Sequence, residues 1–281
     1  MTKIAWITDS TCGLSQAFID ENNIHVLPMI VNINGISYRE DIDISKEEIY
    51  ELLRQHGEGA KTSQPAYGEF VELYERLKGE YDVGIAIHAS SELTGTYQSS
   101  ISAAELADFP VEVIDSRIGS YALGKMISNG IEFQSKGKTY EEIVQTLRTY
   151  PAKTEMYLLP ESLEQLKRSG RVSTTQTVFA NLLNINLLLK FDDGKVVVDE
   201  KIRSKKRTTR RIFQIIEEAV EKKEFTELCI MHAGVKETAD QWKQELEKLH
   251  DHIKIKVEAL VPVAGVHTGY GTMSVAWLKD K

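Results

Sequence analysis

The stretch Asp82-Val83-Gly84-Ile85-Ala86-Ile87-His88, followed by Ala89-Ser90-Ser91-Glu92-Leu93-Thr94-Gly95-Thr96, decides the fold. Its first seven residues make a short apolar run of the kind a buried strand needs. Past the turn, Tyr97 to Ala107 carries alanines and a helical apolar period. A strand feeding a Ser/Thr/Gly turn that opens a helix is half of a parallel α/β unit. Such a turn also gathers backbone N–H groups that lack helical partners, at the positive end of the helix dipole. The hydroxyls of Ser90, Ser91, Thr94 and Thr96 add donors. Two readings stand for this turn: a seat for a carboxylate or phosphate, or a helix start capped by Thr94 or Ser91.

The same alternation extends outward. Ile4 to Ile7 reads as a first strand that ends in Thr8-Asp9-Ser10-Thr11, a polar cluster at a strand's carboxyl end, where α/β proteins place ligands. Asp9 alone also suits a turn residue bonded to its own backbone. Ser15 to Glu21 reads as a short helix, Ile24 to Ile33 as a strand, and Asn34-Gly35 as a hairpin turn into Ile36 to Tyr38. Ser45-Lys46-Glu47-Glu48 is a capping box that starts a helix running to about Gln55. In Lys61-Thr62-Ser63-Gln64-Pro65, the proline holds Gln64 extended. The two hydroxyls there are either a second donor group or a cap for the helix Tyr67 to Leu77. Val111 to Ile114 is a strand ending in Asp115-Ser116. Helical patterns follow over Ile118 to Lys136 and from Thr139 to about Thr149. Residues 1–150 are therefore expected to form an α/β domain with a parallel sheet flanked by helices.

Tyr150-Pro151 marks the expected boundary, and the pattern changes beyond it. Strands are expected over Thr154 to Leu159, Ile185 to Phe191, Lys195 to Asp199, Leu228 to Ala233, Ile253 to Leu260 and Met273 to Leu278. Asp192-Asp193-Gly194 is a hairpin signal. Helices are expected over Glu161 to Lys167, Thr177 to Leu183, Thr208 to Lys223 and Lys236 to His250. Hairpins mixed with helices predict an α+β domain over 151–281, with a mixed or antiparallel sheet.

The chain has 281 residues, 42% hydrophobic and 27% charged, with a formal net charge of -8. The acidic balance argues against nucleic-acid binding. Cys12 and Cys229 form neither a disulfide framework nor a zinc pattern. The amino-terminal apolar run is too short for a signal peptide. The richest apolar stretch, Leu182 to Leu189, is broken by Asn184 and Asn186 and cannot span a bilayer. A cytoplasmic protein, at most in transient membrane contact and a monomer, is the expectation.

Three constellations could carry chemistry. In Gly265-Val266-His267-Thr268-Gly269-Tyr270-Gly271, a histidine sits among glycines in an expected loop. There it could hold an anion, act as a base, or be a plain surface histidine. Lys201, Arg203, Lys205, Lys206, Arg207, Arg210 and Arg211 crowd one stretch of an acidic chain, as an acidic partner, a phosphate or a solvated helix start would each allow. Ser91, His267 and Asp9 or Asp115 supply the residue types of a serine hydrolase, although no Gly-x-Ser-x-Gly elbow is present. A phosphate or nucleotide binder at the central turn would lack a Walker lysine. His250 and His252 are two apart and point to different faces of a helix, so no metal site is expected.

Taken together, Thr8-Asp9-Ser10-Thr11, Thr62-Ser63-Gln64-Pro65, Ser90 to Tyr97, Asp115-Ser116, Leu166 to Arg171 and Gly265 to Gly269 resemble, in order and spacing, the DegV family of fatty-acid-binding proteins along the whole chain. The resemblance implies two α/β domains around a long-chain fatty acid such as palmitate, with no cofactor. It implies a carboxylate held by Thr62 or Ser63, by Ser91 with Thr94 and Gly95 of the same turn, and by His267. It further implies a binding subunit without chemistry of its own, presenting the acid to a separate ATP-dependent fatty acid kinase that makes acyl phosphate for phospholipid synthesis. Arg171 and Arg203 would then lie near the carboxylate mouth and the kinase-docking surface. The chain departs from the family pattern at Thr94 (usually serine), Ser169 (glycine), Tyr270 (proline) and Leu187 (proline).

Overall fold

In the computed structural model, which describes residues 2–173 and 185–280, the 82–107 unit lies inside a four-stranded parallel sheet. Its strands are β1 (Ile4–Asp9), β2 (His25–Leu27), β6 (Val83–His88) and β7 (Val111–Asp115), in the order β2-β1-β6-β7. Side chains alternate across each strand and both faces are covered. Ala5, Ile7 and Ala86 pack under α3 (Tyr67–Lys78) and α4 (Thr96–Ala107), with Phe70, Tyr74 and Ala103. Trp6, Ile85 and Ile87 face the other way, onto α1 (Gln16–Glu21), α5 (Tyr121–Ser135) and α6 (Tyr140–Leu147). Thr139 and Glu142 form a capping box at α6.

The expected strand 24–33 is two strands in two sheets. Pro28 has no N–H to donate to a ladder, and the chain leaves the parallel sheet there. It continues as β3 (Ile30–Ile33), which pairs antiparallel with β4 (Ile36–Arg39) and β5 (Lys61–Ser63). The Asn34-Gly35 turn has positive φ at both residues, as the hairpin signal requires. Helix α2 (Lys46–His56), opened by the Ser45–Glu48 capping box, completes this arm. The arm packs away from its own domain: Val31, Ile33, Ile49, Tyr50 and Leu53 cluster with Ala233, Val261, Val263 and Val266 of the carboxyl-terminal half.

That half is built on a six-stranded sheet in the order β10-β9-β8-β13-β11-β12. The strands are β8 (Thr154–Leu159), β9 (Ile185–Asp192), β10 (Lys195–Arg203), β11 (Glu227–His232), β12 (Lys254–Ala259) and β13 (Met273–Leu278). Among the described strands of this sheet β11 and β12 pair parallel and the other neighbours antiparallel, so the sheet is mixed. One face is covered by α8 (Lys205–Glu221) and α9 (Lys236–Leu249), through Ile212, Ile216, Trp242 and Leu246. The other face meets the first domain: Met156, Leu158, Leu187, Leu189 and Met231 pack with Ile118, Tyr121 and Ala122. Two short helices, α7 (Leu163–Ser169) and α10 (Pro262–Thr268), sit at one end. Lys201 and Arg203 belong to β10 and not to a helix start, because the hairpin ladder continues to the Arg203–Ile185 pair. The expected helix Thr177 to Leu183 lies outside the described residues.

Two buried polar networks hold these pieces. Asp9, at the end of β1, faces His88 at the end of β6, with Oδ2 and Nδ1 3.0 Å apart. An ionised carboxylate only accepts, so Nδ1 carries the hydrogen. His88 Nε2 lies 2.9 Å from Ser100 Oγ on α4, and Ser100 Oγ lies 2.5 Å from the Tyr74 hydroxyl on α3. Burial alone would raise the Asp9 carboxyl; the bonds from His88 and Thr11 outweigh it and hold the group below its ordinary value.

The second network joins all three parts. Glu40, 1% exposed, accepts from the Ser10 hydroxyl (2.5 Å) and from the Val263 N–H at the start of α10 (2.9 Å). Ser10 in turn accepts from the Met29 N–H at 2.9 Å. Burial pushes the Glu40 carboxyl up to about 8, aided by Asp41 and opposed by the bonds from Ser10 and Val263 and by Lys46.

Ser100→Ala strips a partner from both His88 and Tyr74, and is expected to cost about 1–3 kcal/mol in urea unfolding. An unchanged midpoint would show that the relay adds nothing to stability. Glu40 holds its proton more tightly in the native state than in the unfolded chain, so its contribution to stability falls as pH rises from 4.5 to about 8. E40Q should therefore gain on wild type as unfolding is measured at about pH 5 and then about pH 8.5. A gap independent of pH would contradict the buried-acid assignment.

Candidate functional site

Between the two sheets lies a cavity of about 880 Å³, its open mouth included. Apolar walls come from both sides: Met29, Ala89, Leu93 and Ile118 from the first domain, and Met156, Leu158, Leu166, Phe191, Val196, Val261 and Val263 from the second. The β9–β10 hairpin forms part of the wall, and its tip is clasped to the central turn. Ser90 donates to the Gly194 carbonyl at 2.7 Å, and Arg117 donates to that of Asp193 at 2.9 Å. Gly194 has φ +84, and a Cβ there would stand 2.7 Å from Ser90 Oγ, so only glycine permits this approach.

The polar lining divides into two groups. Thr11 and Ser120 lie deep and their hydroxyls are occupied, Thr11 by Asp9 and Ser120 by the Met231 sulfur at 3.2 Å. Thr62, Ser63, Gln64, Thr94, Arg171 and His267 reach toward solvent; Ser63 and Arg171 are exposed. Within this group Thr62 Oγ1 lies 2.8 Å from His267 Nε2. Burial, reinforced by the nearby positive charge of Arg171, lowers the His267 imidazole to about 4, so the ring is neutral at physiological pH. Thr94 Oγ1 lies 2.8 Å from Thr96 Oγ1. Helix α4 begins just beyond; its N-cap Gly95 has no side chain, and the Thr96 N–H donates to Thr94 Oγ1 at 3.4 Å.

His267 is not in a loop. Pro262 starts α10, whose first turn tolerates a residue without an N–H, and His267 lies in its last turn. Gly265 is interior to this helix, where a Cβ would come 2.5 Å from the Tyr50 ring. The glycine therefore serves close packing of α10 against α2. Gly269, at φ +98, breaks the helix right after the histidine and its neighbour Thr268.

The structure brings Thr62, Ser63, Thr94, Arg171 and His267 to one cavity, and it moves Ser91 out of the group. Ser91 is exposed and its hydroxyl donates to Asp115 at 2.6 Å, so the turn carries it outward while Thr94 turns inward. Gly95 does not line the cavity; a Cβ there would collide with Gln64 Oε1 at 2.3 Å, so the glycine makes room for Gln64. Arg203 ends β10 on the surface, away from the lining. The basic start of α8 does adjoin the site: Lys205 pairs with Glu161 at 2.6 Å, and the Glu161 N–H donates to the Thr268 carbonyl.

The Ser91–His267 hydrolase arrangement is absent, since Ser91 is bonded to Asp115 and His267 to Thr62. The Asp9–His88–Ser100 relay has triad-like order, but Ser100 is fully buried and does not line the cavity. Among the described residues no group of three or more His, Cys, Asp or Glu is placed to hold a metal ion. None of the described helices is long and apolar enough to cross a membrane. Glu40 and Met29 stand outside every sequence motif, and His88 closes a strand run that gives it no role. Gln64 lies within the Thr62–Pro65 motif without a role of its own; its adjacency to Pro65 is the available signal.

Comparison with known proteins bears on the fold and the family. A family model described as an uncharacterised protein of the DegV family matches residues 3–280. A DegV domain-containing protein of Staphylococcus aureus is 33% identical over 279 residues, covering 99% of this chain and 100% of that one. One from Listeria innocua is 32% identical over 277 residues, covering 98% of each. Among solved structures, DegV of Bacillus subtilis, described as a fatty acid binding protein, superposes with a TM-score of 0.89 at 30% identity over 100% of both chains. A fatty-acid-binding DegV family protein of Thermus thermophilus does so with a TM-score of 0.88 at 27% identity over 99% of both. The chain belongs to the DegV family.

Proposed function

We propose that this protein binds a long-chain fatty acid, such as palmitate, and is not itself an enzyme. The acyl chain lies in the cavity between the two sheets. Its carboxylate sits at the rim, among the hydroxyls of Thr62 and Thr94, with Ser63 and Gln64 beside them, the His267 imidazole and the Arg171 charge. The observation that carries this reading is one apolar hollow whose polar side chains converge at its solvent side, where Thr62 pairs with His267 and Thr94 with Thr96, while its deep hydroxyls are bonded to Asp9 and Met231.

The energetics fit that division. Each buried methylene contributes roughly 0.8 kcal/mol, so a palmitate-length chain gains on the order of 10 kcal/mol gross. Hydrogen bonds to a charged group add about 1.5–3 kcal/mol each. The tail supplies most of the affinity, and the rim sets which end faces out. Relatives of comparable fold described as fatty acid binding support the same ligand class.

Presentation of the exposed carboxylate to an ATP-dependent fatty acid kinase is the second part of the proposal. It rests on the basic surface of Arg203, Lys205, Lys206, Arg207 and Arg210, tied to the His267 helix through Glu161. A monomer in the cytoplasm suits this role, with Cys12 and Cys229 buried as free thiols.

Native mass spectrometry of the purified protein should show a retained fatty acid, or uptake of added palmitate; persistent failure of both would sink the reading. Thr62→Val or Thr94→Val should weaken palmitate binding about ten- to hundredfold, while Ser91→Ala stays close to wild type. The reverse ranking would put the carboxylate at Ser91. Arg203→Glu should lower acyl-phosphate production by the kinase with palmitate affinity intact; loss of affinity would instead place Arg203 in the pocket.

A further inference from the structure

Glu40 stands outside every motif quoted above, is almost fully buried, and lies outside the cavity wall. Its two carboxyl oxygens nevertheless hold both sides of that wall. Oε2 takes the Ser10 hydroxyl, and Ser10 takes the N–H of Met29, a wall residue of the first domain. Oε1 takes the N–H of Val263, a wall residue of α10. Val263 and His267 are four residues apart on that helix, so they stack on one face, one turn from each other. The helix is seven residues long and too short to hold itself in place. Its position comes from anchors on the arm: Glu40 at Val263, and Tyr50, whose hydroxyl donates to the Leu260 carbonyl at 2.5 Å. A hydrogen bond such as Thr62–His267 weakens steeply with displacement, so a shift of the helix along its axis would break it.

We propose that Glu40 is a positioning residue for carboxylate recognition: by fixing α10 to the first domain it holds His267 against Thr62, and so gives the site its preference for an acid over an uncharged acyl lipid. The inference rests on the fatty-acid reading above. A tail in the cavity needs only apolar walls; telling an acid from its ester needs His267 and Thr62 in register. Leu at position 40 fills the volume but strands the Ser10 hydroxyl and the Val263 N–H. Asp keeps the acid but is one carbon too short to span both. Gln still accepts from Val263 through its oxygen and so keeps the anchor on α10, while its nitrogen reverses the direction of the bond with Ser10.

The test measures palmitate and methyl palmitate against delipidated protein by displacement of a fluorescent acyl probe. Wild type should prefer palmitate. In E40L and E40D that preference should fall about tenfold while methyl palmitate binding changes little, and E40Q should restore most of it. S100A, a buried polar loss remote from α10, serves as the stability control and should keep the wild-type ratio. If E40L does not fold, the E40D and E40Q pair decides the matter. Equal weakening of both lipids, or a wild-type ratio in E40D, would overturn the proposal. Wild type that takes up neither lipid would instead overturn the fatty-acid reading beneath it.

Discussion

The hydrogen bond between Thr62 and His267 joins segments 205 residues apart, and most of the molecule is arranged to make it. Thr62 sits on the last strand of a small sheet that has left its own domain. His267 sits on a helix of seven residues in the other half. Neither element has enough area to hold its position alone. They are fixed because Val31, Ile33, Ile49 and Tyr50 of the arm share a core with Val261, Val263 and Val266. Burial of the imidazole, with the Arg171 charge nearby, keeps the ring neutral. A neutral ring with one donor and one acceptor nitrogen can accept from a threonine hydroxyl and still donate to an anion, leaving the positive charge at the rim to Arg171.

How much of this was legible in the sequence follows from the range of each signal. The apolar runs Ile4–Ile7 and Val83–His88, the capping boxes at Ser45 and Thr139, and the Asn34-Gly35 and Asp193-Gly194 turns are local, and the structure has each of them. The run 24–33 looked like one strand because its β-branched residues continue across Pro28. One missing N–H, invisible to hydropathy, divides it between two sheets. His267 looked like a loop residue because of its glycines. Gly265 is in fact required by the Tyr50 ring, a contact 215 positions back along the chain that no local pattern encodes.

The central turn shows the same limit at the scale of single side chains. Ser91 and Thr94 are equally polar, and spacing cannot say which faces inward. The turn is settled by Asp115, which draws Ser91 outward from the end of the neighbouring strand, and by Ser90, which is held by the hairpin tip at Gly194. Glu40 is hidden for another reason. A buried acid in an acidic chain looks like any surface acid until its desolvation and its partners are known.

The cavity floor shows why the polar groups at the rim are the informative ones. An unpaired hydroxyl facing an apolar hollow would cost as much as a lost hydrogen bond. Thr11 avoids that cost by bonding Asp9, and Ser120 by reaching the Met231 sulfur. Ser120 does so from a backbone conformation of φ 58 and ψ −141, which non-glycine residues rarely adopt. Its own N–H, donated to the Thr11 carbonyl at 2.7 Å, helps hold it there. The fold thus accepts local strain to keep the deep wall free of unpaired polar atoms. A hollow finished in that way discriminates little along its length, so the choice of ligand falls to chain shape inside and to the few side chains at the rim.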